Sequence, residues 1–280
     1  MTVEGIRVSS EWLDLRDGAD DAARARDLVE HVLRQLPARD RRVIHDLGCG
    51  TGAMGRWLAP LLPGPQHWVV HDRDADLLEV AAIDLPGHAA DGAAVTVEAT
   101  LSDVTRLRAG DLAEATLITA SALLDLMTEG ELARLVNVCA GAGCPVLLTL
   151  SVVGRVELAP GDPLDARVAA AFNAHQRRTT TRGRLLGPDA VAATAEGFRR
   201  LGAEVLIRPS PWRLGAAEAE LAVEWFSGWV AAACEQEVEL AAEIDAYTCR
   251  RLAEASDGQL TVMVDHSDVL VLPRADRAAA

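Results

Sequence analysis

The sequence predicts an α/β protein built on a doubly wound, mostly parallel sheet. Three observations lead to this prediction. Short apolar segments alternate with helical ones along the first half of the chain, as in a parallel sheet covered by helices on both faces. The first apolar segment runs into Asp46 and three glycines at alternate positions, which is typical of a sharp loop that lies against a ligand. The chain has 280 residues, of which 50% are hydrophobic, and this is enough for one α/β core with insertions.

Apolar periodicity and helix-breaking residues give the order of elements in the N-terminal half. The predicted elements are a helix over 20–36 that ends at Pro37, a strand over 43–47, a helix over 54–62, a strand over 68–72, a helix over 75–83, a strand over 95–97, a strand over 115–119, a helix over 131–139 and a strand over 145–150. Strand and helix therefore alternate up to a fifth strand.

The C-terminal half departs from this alternation. A helix over 164–178 lies between two loops and is predicted to be an insertion above the carboxyl edge of the sheet. Strands over 204–208 and 260–272 are separated by a long Ala-rich helical stretch over 216–255. The polar residues 265–268 interrupt the last strand and predict a β-bulge. We therefore expect helical insertions after strand five and between strands six and seven.

Composition limits the classes of function. The formal charge of −15 disfavours a general attraction to nucleic acid or to a membrane surface, so a small molecule is the expected partner. All 27 basic residues are Arg, which excludes chemistry that needs a Lys amine, such as the Tyr-Lys pair of many short-chain dehydrogenases. The five cysteines form no C-x-x-C pair, and no apolar run is long enough for a membrane helix. These features predict a cytoplasmic protein, and they leave its oligomeric state open.

Polar residues lie at the ends of four of the predicted strands or just after them. Asp46 lies near the end of the first strand with its glycines after it, Asp72 ends the second, Asp103 comes after the third and Thr119 ends the fourth. Because ligands of open α/β sheets bind outside the carboxyl ends of the strands, we expect these residues to line one crevice. Asp72 is well placed to accept hydrogen bonds from both hydroxyls of a ribose.

The glycines alone do not identify the cofactor. Residues 50–55 also satisfy the G-x-G-x-x-G pattern of dinucleotide-binding proteins. In that fingerprint the loop holds a pyrophosphate at a helix N-terminus, which disfavours nearby acids. Asp46, two residues before Gly48, would repel a pyrophosphate, but it could order the loop or bind an ammonium group.

The string D-x-G-x-G-x-G at 46–52, Asp72, Ser102-Asp103 and residues 119–122 together resemble the successive motifs of class I S-adenosylmethionine-dependent methyltransferases. The resemblance covers about residues 40–152. It implies a Rossmann-like sheet of seven strands with an antiparallel last strand, and S-adenosylmethionine as cofactor with S-adenosylhomocysteine as product. The cofactor-binding residues that it implies are Asp46, Gly48, Cys49, Gly50 and Gly52 at the methionyl part, Asp72 at the ribose with Arg73 next to it in the chain, Asp103 and Val104 at the adenine, and Thr119 and Ala120 at the fourth strand.

Methyl transfer requires no dedicated nucleophile, although a hydroxyl acceptor benefits from a base. His175, on the apolar stripe of the helix over 164–178, and Asp125, soon after the fourth strand, are the candidate catalytic residues. No acid triad with metal spacing is present, so no metal site is predicted. Trp225 and Trp229 lie on one face of the Ala-rich stretch. With Trp212 nearby, this stripe forms either core or part of an aromatic lid over a planar acceptor.

The leading hypothesis is an S-adenosylmethionine-dependent methyltransferase that acts on a small-molecule acceptor at O or N. An NAD(P)-dependent oxidoreductase and a non-catalytic S-adenosylmethionine-binding subunit stay open as alternatives. The predicted organisation is an N-terminal helical cap over 1–40, a cofactor-binding core over 41–152, a helical insertion on the substrate side over 153–200, and C-terminal strands with a helical insertion over 201–280 in the same globular domain.

Overall fold

The computed structural model of the protein describes residues 8–36 and 41–273. Pro37, the predicted end of the first helix, lies outside the described residues, as do residues 1–7 and 38–40 of the predicted N-terminal cap. The strands are β1 Arg42–Leu47, β2 Gln66–Asp72, β3 Val95–Leu101, β4 Leu117–Ser121, β5 Val146–Ala159, β6 Thr179–Thr180, β7 Gly183–Arg184, β8 Glu204–Pro209, β9 Trp212–Leu214 and β10 Thr261–Leu272. The α-helices are α1 Ser10–Ala23, α2 Arg26–Gln35, α3 Ala53–Leu58, α4 Ala75–Asp84, α5 Glu129–Ala142, α6 Asp165–Gln176, α7 Ala190–Arg200, α8 Ala219–Gln236 and α9 Ala241–Ser256.

The main sheet has the strand order β3-β2-β1-β4-β5-β10-β8, and β9 pairs with β10. Strands β1 to β5 pair in parallel, whereas β10 is antiparallel to both β5 and β8. The order reverses between β1 and β4, which opens the crevice typical of doubly wound sheets at the carboxyl ends of these strands. The predicted mostly parallel sheet with an antiparallel last strand is confirmed.

Helices cover both faces of the sheet because its central strands are apolar on both sides. In β1, Ile44 packs into a core layer shared with α2, α3 and α4, whereas Leu47 packs into the opposite layer with α5 and α7. A third apolar cluster joins α6, α8 and α9 to one end of β10 and to α1. No helix in the described part of the chain is long and apolar enough to span a membrane.

The predicted single helix over 20–36 is wrong in its extent, because the structure has two helices that meet at Arg24 and Ala25. The backbone of Ala25 is extended, and its N–H donates to the buried carboxylate of Asp268 at 2.8 Å. A tertiary hydrogen bond to the far end of the chain therefore ends α1 and starts α2. Apolar spacing along the sequence carries no sign of such a bond.

Other elements also differ from the predictions. Strand β5 continues to Ala159, past residue 150, and β3 continues to Leu101, past residue 97. The Ala-rich helical stretch is made of two helices, α8 and α9. Helix α7 and the strands β6, β7 and β9 were not predicted. The bulge in the last strand is confirmed, since the register of β10 against β5 shifts on both sides of residues 266–267.

Candidate functional site

A cavity of about 470 Å³ lies at the carboxyl ends of β1, β2 and β4. Helix α1 covers one side of it with Trp12, Leu13 and Arg16. Residues from β5, α6, β9, α8 and β10 extend the cavity beyond the glycine loop. The cavity therefore has two ends. The predicted motif residues form one end, and residues of α1, β5, α6, β9, α8 and β10 form the other.

The glycine loop after β1 lies against the cavity. Gly48 and Gly50 have φ angles of +67° and +55°, a region that favours glycine. The N–H groups of Gly48 and Cys49 donate to the carbonyl oxygen of His71 at 2.8 and 2.9 Å, which ties the loop to β2. Gly48, Cys49 and Gly50 line the cavity as predicted, whereas Gly52 does not, because it packs against Ala81 in α4.

Asp46 lies at the end of β1 with 1% of its surface exposed, and it borders the cavity. Its Oδ1 accepts a hydrogen bond from the Thr119 hydroxyl at 2.7 Å. Its Oδ2 is buried and has no hydrogen-bond partner among the described residues. Burial raises the pKa of Asp46 to about 7, although the Thr119 hydrogen bond and the charge of Arg24 oppose the shift. A buried carboxylate oxygen without a partner is costly, so this site is suited to a cationic ligand group.

Asp72 ends β2 and organises the loop beside it. Its Oδ2 accepts the N–H of Gly50 at 2.9 Å, and its Oδ1 accepts the N–H groups of Arg73 and Asp74 at 2.7 and 3.0 Å. Asp72 is half-buried and lines the cavity together with Arg73. The carboxylate is therefore fixed in orientation, and Oδ2, which accepts one of these three hydrogen bonds, keeps a lone pair for a hydroxyl group of a ligand.

Asp103 and Val104 follow β3 and line the same cavity. The Asp103 carboxylate also caps its own turn, because Oδ1 accepts hydrogen bonds from the backbone N–H and hydroxyl of Thr105 at 3.0 and 2.7 Å. Burial acts to raise the pKa of Asp103, but the Thr105 hydrogen bonds and the charge of Arg106 lower it overall. Asp103 is therefore held as an ionised turn residue at the edge of the cavity.

Thr119 and Ala120 in β4 are buried and do not line the cavity. Thr119 contacts the site only through Asp46, and Ala120 packs in the core. The next three residues, 121–123, line the cavity instead. Ala122 has a φ of +50°, and Leu150 in the neighbouring β5 has a φ of +55° and also lines the cavity. Positive φ angles at non-glycine residues are strained and often occur at functional sites.

The two candidate catalytic residues lie in different places. Asp125 lines the cavity, and burial raises its pKa to about 6, against the charges of Arg16 and Arg178. His175 does not line the cavity. It lies between α6 and α8, where its Nε2 is 3.0 Å from Glu235 Oε2. Helical spacing grouped His175 with Phe172, but only Phe172 faces the cavity.

Several residues that border the cavity were not among the predicted site residues. They include Trp12, Leu13, Arg16, Phe172, Arg182 and His266, whereas Trp212 and Trp225, which also border the cavity, belong to the predicted aromatic stripe. The two tryptophans of the predicted stripe in α8 have different environments. Trp225 borders the cavity, and Trp229 is in the core with 1% of its surface exposed. No motif surrounds Arg16 or His266, and their positions depend on how the chain ends fold over the sheet.

No protein-family model matches the chain, and no curated protein matches it significantly. A cyclopropane synthase from Mycobacterium tuberculosis is similar in structure, with a TM-score of 0.50 and 14% identity over 94% of this chain and 94% of that chain. A SAM-dependent methyltransferase from Thiobacillus denitrificans, solved in complex with S-adenosylhomocysteine, has a TM-score of 0.45 and 14% identity over 96% of this chain and 100% of that chain. The strand order, the reversed β10 and the similarity to the cyclopropane synthase agree: the chain has the fold of the class I S-adenosylmethionine-dependent methyltransferases.

Proposed function

We propose that the protein transfers a methyl group from S-adenosylmethionine to a small-molecule acceptor, at oxygen or nitrogen. The observation that carries this proposal is the buried Oδ2 of Asp46, which has no partner among the described residues and lies beside the glycine loop at the cavity. The ammonium group of the methionyl part would satisfy this oxygen. A pyrophosphate at the same place would meet a buried acid, which disfavours a nicotinamide cofactor.

The residues around Asp46 fit the remaining parts of the cofactor. The backbone of residues 48–50 would contact the methionyl part, and the fixed carboxylate of Asp72 would accept hydrogen bonds from the ribose hydroxyls. Asp103 and Val104 would flank the adenine, with Arg73 at the rim. Thr119 would act as a positioning residue, because its hydroxyl orients Asp46 from behind. Ala120 and Gly52 have no direct role in this proposal.

When bound, the cofactor supplies a methyl group on a positively charged sulfur, and this group is open to in-line displacement. The protein's contribution is to align the acceptor and to exclude water. Asp125 is the proposed general base, because its raised pKa of about 6 lies close to neutral pH, where a carboxylate can accept the acceptor's proton. His175 is left out of the mechanism because it pairs with Glu235 outside the cavity.

Two measurements test the proposal. Calorimetry with S-adenosylhomocysteine and with NADH should detect binding of the first only, and binding of NADH alone would refute the choice of cofactor. Incubation with S-adenosylmethionine labelled at the methyl group and a metabolite extract should give a labelled small product. A protein that binds the cofactor but labels nothing would be the non-catalytic subunit.

Asp72→Asn tests the ribose assignment. The change removes the charge that strengthens hydrogen bonds to the ribose, so the affinity for S-adenosylhomocysteine should fall by about tenfold or more. Asp76→Asn, at an exposed position on α4, is the matched control and should leave the affinity unchanged. Equal affinities of the two variants would remove Asp72 from the ribose site.

A further inference from the structure

The end of the cavity away from the glycine loop is lined by four aromatic side chains from four different elements. They are Trp12 of α1, Phe172 of α6, Trp212 of β9 and Trp225 of α8, and we call this region the aromatic end. The sheet contributes Val152, Val156 and Val264 to the same region. Aromatic side chains of this kind can stack on the rings of flat ligands, and an apolar lining disfavours highly charged ones.

The rings of the aromatic end are held in fixed orientations. Trp212 is 3% exposed, and its Nε1–H donates to Asp20 Oδ1 at 2.9 Å. The guanidinium carbon of Arg16 lies 5.0 Å from the centre of the Trp212 ring, and Trp12 lies 6.4 Å from it on another side. Trp225 is stacked on the buried Trp229 at 5.3 Å with an angle of 20° between the rings. The binding surface is therefore preorganised, and little conformational entropy is lost from these side chains when a flat ligand binds.

Two arginines that line the cavity, Arg16 at the aromatic end and Arg182 beside Leu126, are paired with carboxylates of the protein. Arg16 donates from Nε and Nη2 to the carboxylate of Asp20 at 3.0 and 3.2 Å. Arg182 donates to Glu131 Oε1 at 3.0 Å and to the carbonyl oxygen of Leu126 at 3.2 Å. These pairs compensate the charges inside the protein, so the aromatic end does not select a strongly acidic ligand.

His266 supplies an acceptor atom at this end of the cavity. Its Nδ1 lies 2.9 Å from the carbonyl oxygen of Val264, so the ring proton is on Nδ1 and Nε2 carries the lone pair. Within the described residues, Nε2 makes no hydrogen bond, although the ring is 5% exposed and borders the cavity. The ring is packed on Trp212 with 5.2 Å between centres. The acceptor atom is therefore held next to the aromatic surface.

We propose that the methyl acceptor is a flat aromatic molecule with a hydrogen-bond donor, bound between the rings of the aromatic end and oriented by a hydrogen bond to His266 Nε2. This inference rests on the proposed methyl transfer and names the acceptor class of the same cavity. His266 is a positioning residue here and not the base. Burial, together with the charge of Arg16, lowers the pKa of His266 to about 3, so the ring stays neutral and accepts a hydrogen bond without taking the proton.

Two isosteric probes test the proposal on the protein saturated with S-adenosylhomocysteine. Indole is flat and carries one N–H donor, and benzofuran has the same shape without a donor. Calorimetry should show that the wild-type protein binds indole about fivefold more tightly than benzofuran, which is the contribution of one neutral hydrogen bond. His266→Phe should bring the two affinities to within about twofold of each other, because it removes the acceptor and keeps a flat ring.

Two further variants complete the test. His266→Gln keeps a hydrogen-bond acceptor and should retain a preference for indole, which makes the result readable even if His266→Phe fails to fold. His175→Phe changes a histidine outside the cavity and should leave both affinities unchanged. Equal binding of the two probes by the wild-type protein, a preference that survives in His266→Phe, or binding of neither probe to the cofactor-saturated protein would overturn the inference. Failure to bind S-adenosylhomocysteine, measured first and separately, would instead overturn the proposed function.

Discussion

At the scale of single residues, the protonation of Asp46 should depend on the ligand that is proposed for this site. Because burial raises its pKa to about 7, a large fraction of the carboxyl groups hold a proton in the free protein near neutral pH. An ammonium group beside Oδ2 would favour the ionised form and lower this pKa. Under the proposed function, cofactor binding is therefore coupled to proton release from Asp46.

This coupling gives a measurable prediction. Near pH 7, binding of S-adenosylhomocysteine should release a fraction of a proton, so the calorimetric enthalpy should change between buffers that differ in their heat of ionisation. Asp46→Asn cannot titrate and should bind with the same enthalpy in every buffer, and more weakly because it lacks the charge. A wild-type enthalpy that is independent of the buffer would contradict the role given to Asp46.

Asp125 should determine the acid side of the pH–rate profile. Its carboxylate protonates as the pH falls through about 6, so kcat/KM should fall over that range. Asp125→Asn should lower the rate of methyl transfer to the product found in the extract by about 10²- to 10⁴-fold, with little effect on cofactor affinity. His175→Gln is the control and should keep the wild-type profile. An unchanged profile in Asp125→Asn would assign the base elsewhere.

The two ends of the cavity differ in how far single residues could be predicted. Asp46, Asp72 and the glycines between them occur at fixed distances around one strand-helix-strand unit, and local spacing is enough to bring them together. Arg16 and His266 are about as far apart in the chain as two residues can be, and only tertiary structure places both at the cavity. His175 was predicted at the site but does not line the cavity. Helical spacing shows which residues share one face of a helix, but it does not show what that face packs against.

At the level of elements, the glycine loop serves packing as well as binding. Gly52 begins α3 with a φ of +86°, and a Cβ at this position would lie 3.2 Å from the Cα of Ala81 in α4. The loop, α3 and α4 are therefore fitted to one another through this glycine. Its place in the sequence motif reflects this contact rather than a contact with the cavity.

Gly52→Ala should lower the free energy of unfolding by about 2 kcal/mol, because the new side chain adds left-handed backbone strain and crowds α4. Gly18→Ala is the matched control. Gly18 lies within α1 with nothing near its added Cβ, so alanine should stabilise the protein by about 0.5–1 kcal/mol. Urea denaturation of both variants checks the prediction, which fails if Gly52→Ala is as stable as the wild type.

The alternation of strands and helices was predictable because each element buries a continuous or periodic apolar surface that the sequence displays. The division between α1 and α2 and the length of β5 were not. The first depends on the hydrogen bond from Ala25 to Asp268, and the second on β10, which pairs with β5 as far as Ala159. Both are set by a strand that comes more than a hundred residues later in the chain.

At the scale of the whole molecule, Asp268 connects three distant segments. The buried carboxylate accepts hydrogen bonds from the N–H of Ala25 at 2.8 Å, the N–H of Leu150 at 2.8 Å and the hydroxyl of Ser210 at 2.6 Å. Burial raises the pKa of Asp268, and these hydrogen bonds oppose the shift. The bulge in β10 places this residue where the start of α2, the end of the parallel sheet and the turn before β9 meet.

Asp268→Ala should lower the free energy of unfolding by about 3 kcal/mol or more, because three buried donors lose their acceptor. Asp265→Ala, three residues earlier, removes only a partly exposed carboxylate 3.8 Å from Arg155 and should cost less than about 1 kcal/mol. Thermal or chemical denaturation of the pair separates the two effects. Similar losses in both variants would mean that the segments do not depend on Asp268.

Ala122, directly after β4, and Leu150, within β5, have positive φ angles, and this strain matters for any attempt to make the protein more stable to heat. Glycine at 122 would relax the backbone by about 1 kcal/mol, so a selection for heat resistance would readily find it. The same change would loosen the corner that carries Leu123 to the cavity wall. Leu123 lies beside Gly48, so this corner affects both the tolerance of heat and the fit of a ligand next to the glycine loop, and a gain in one is expected to reduce the other.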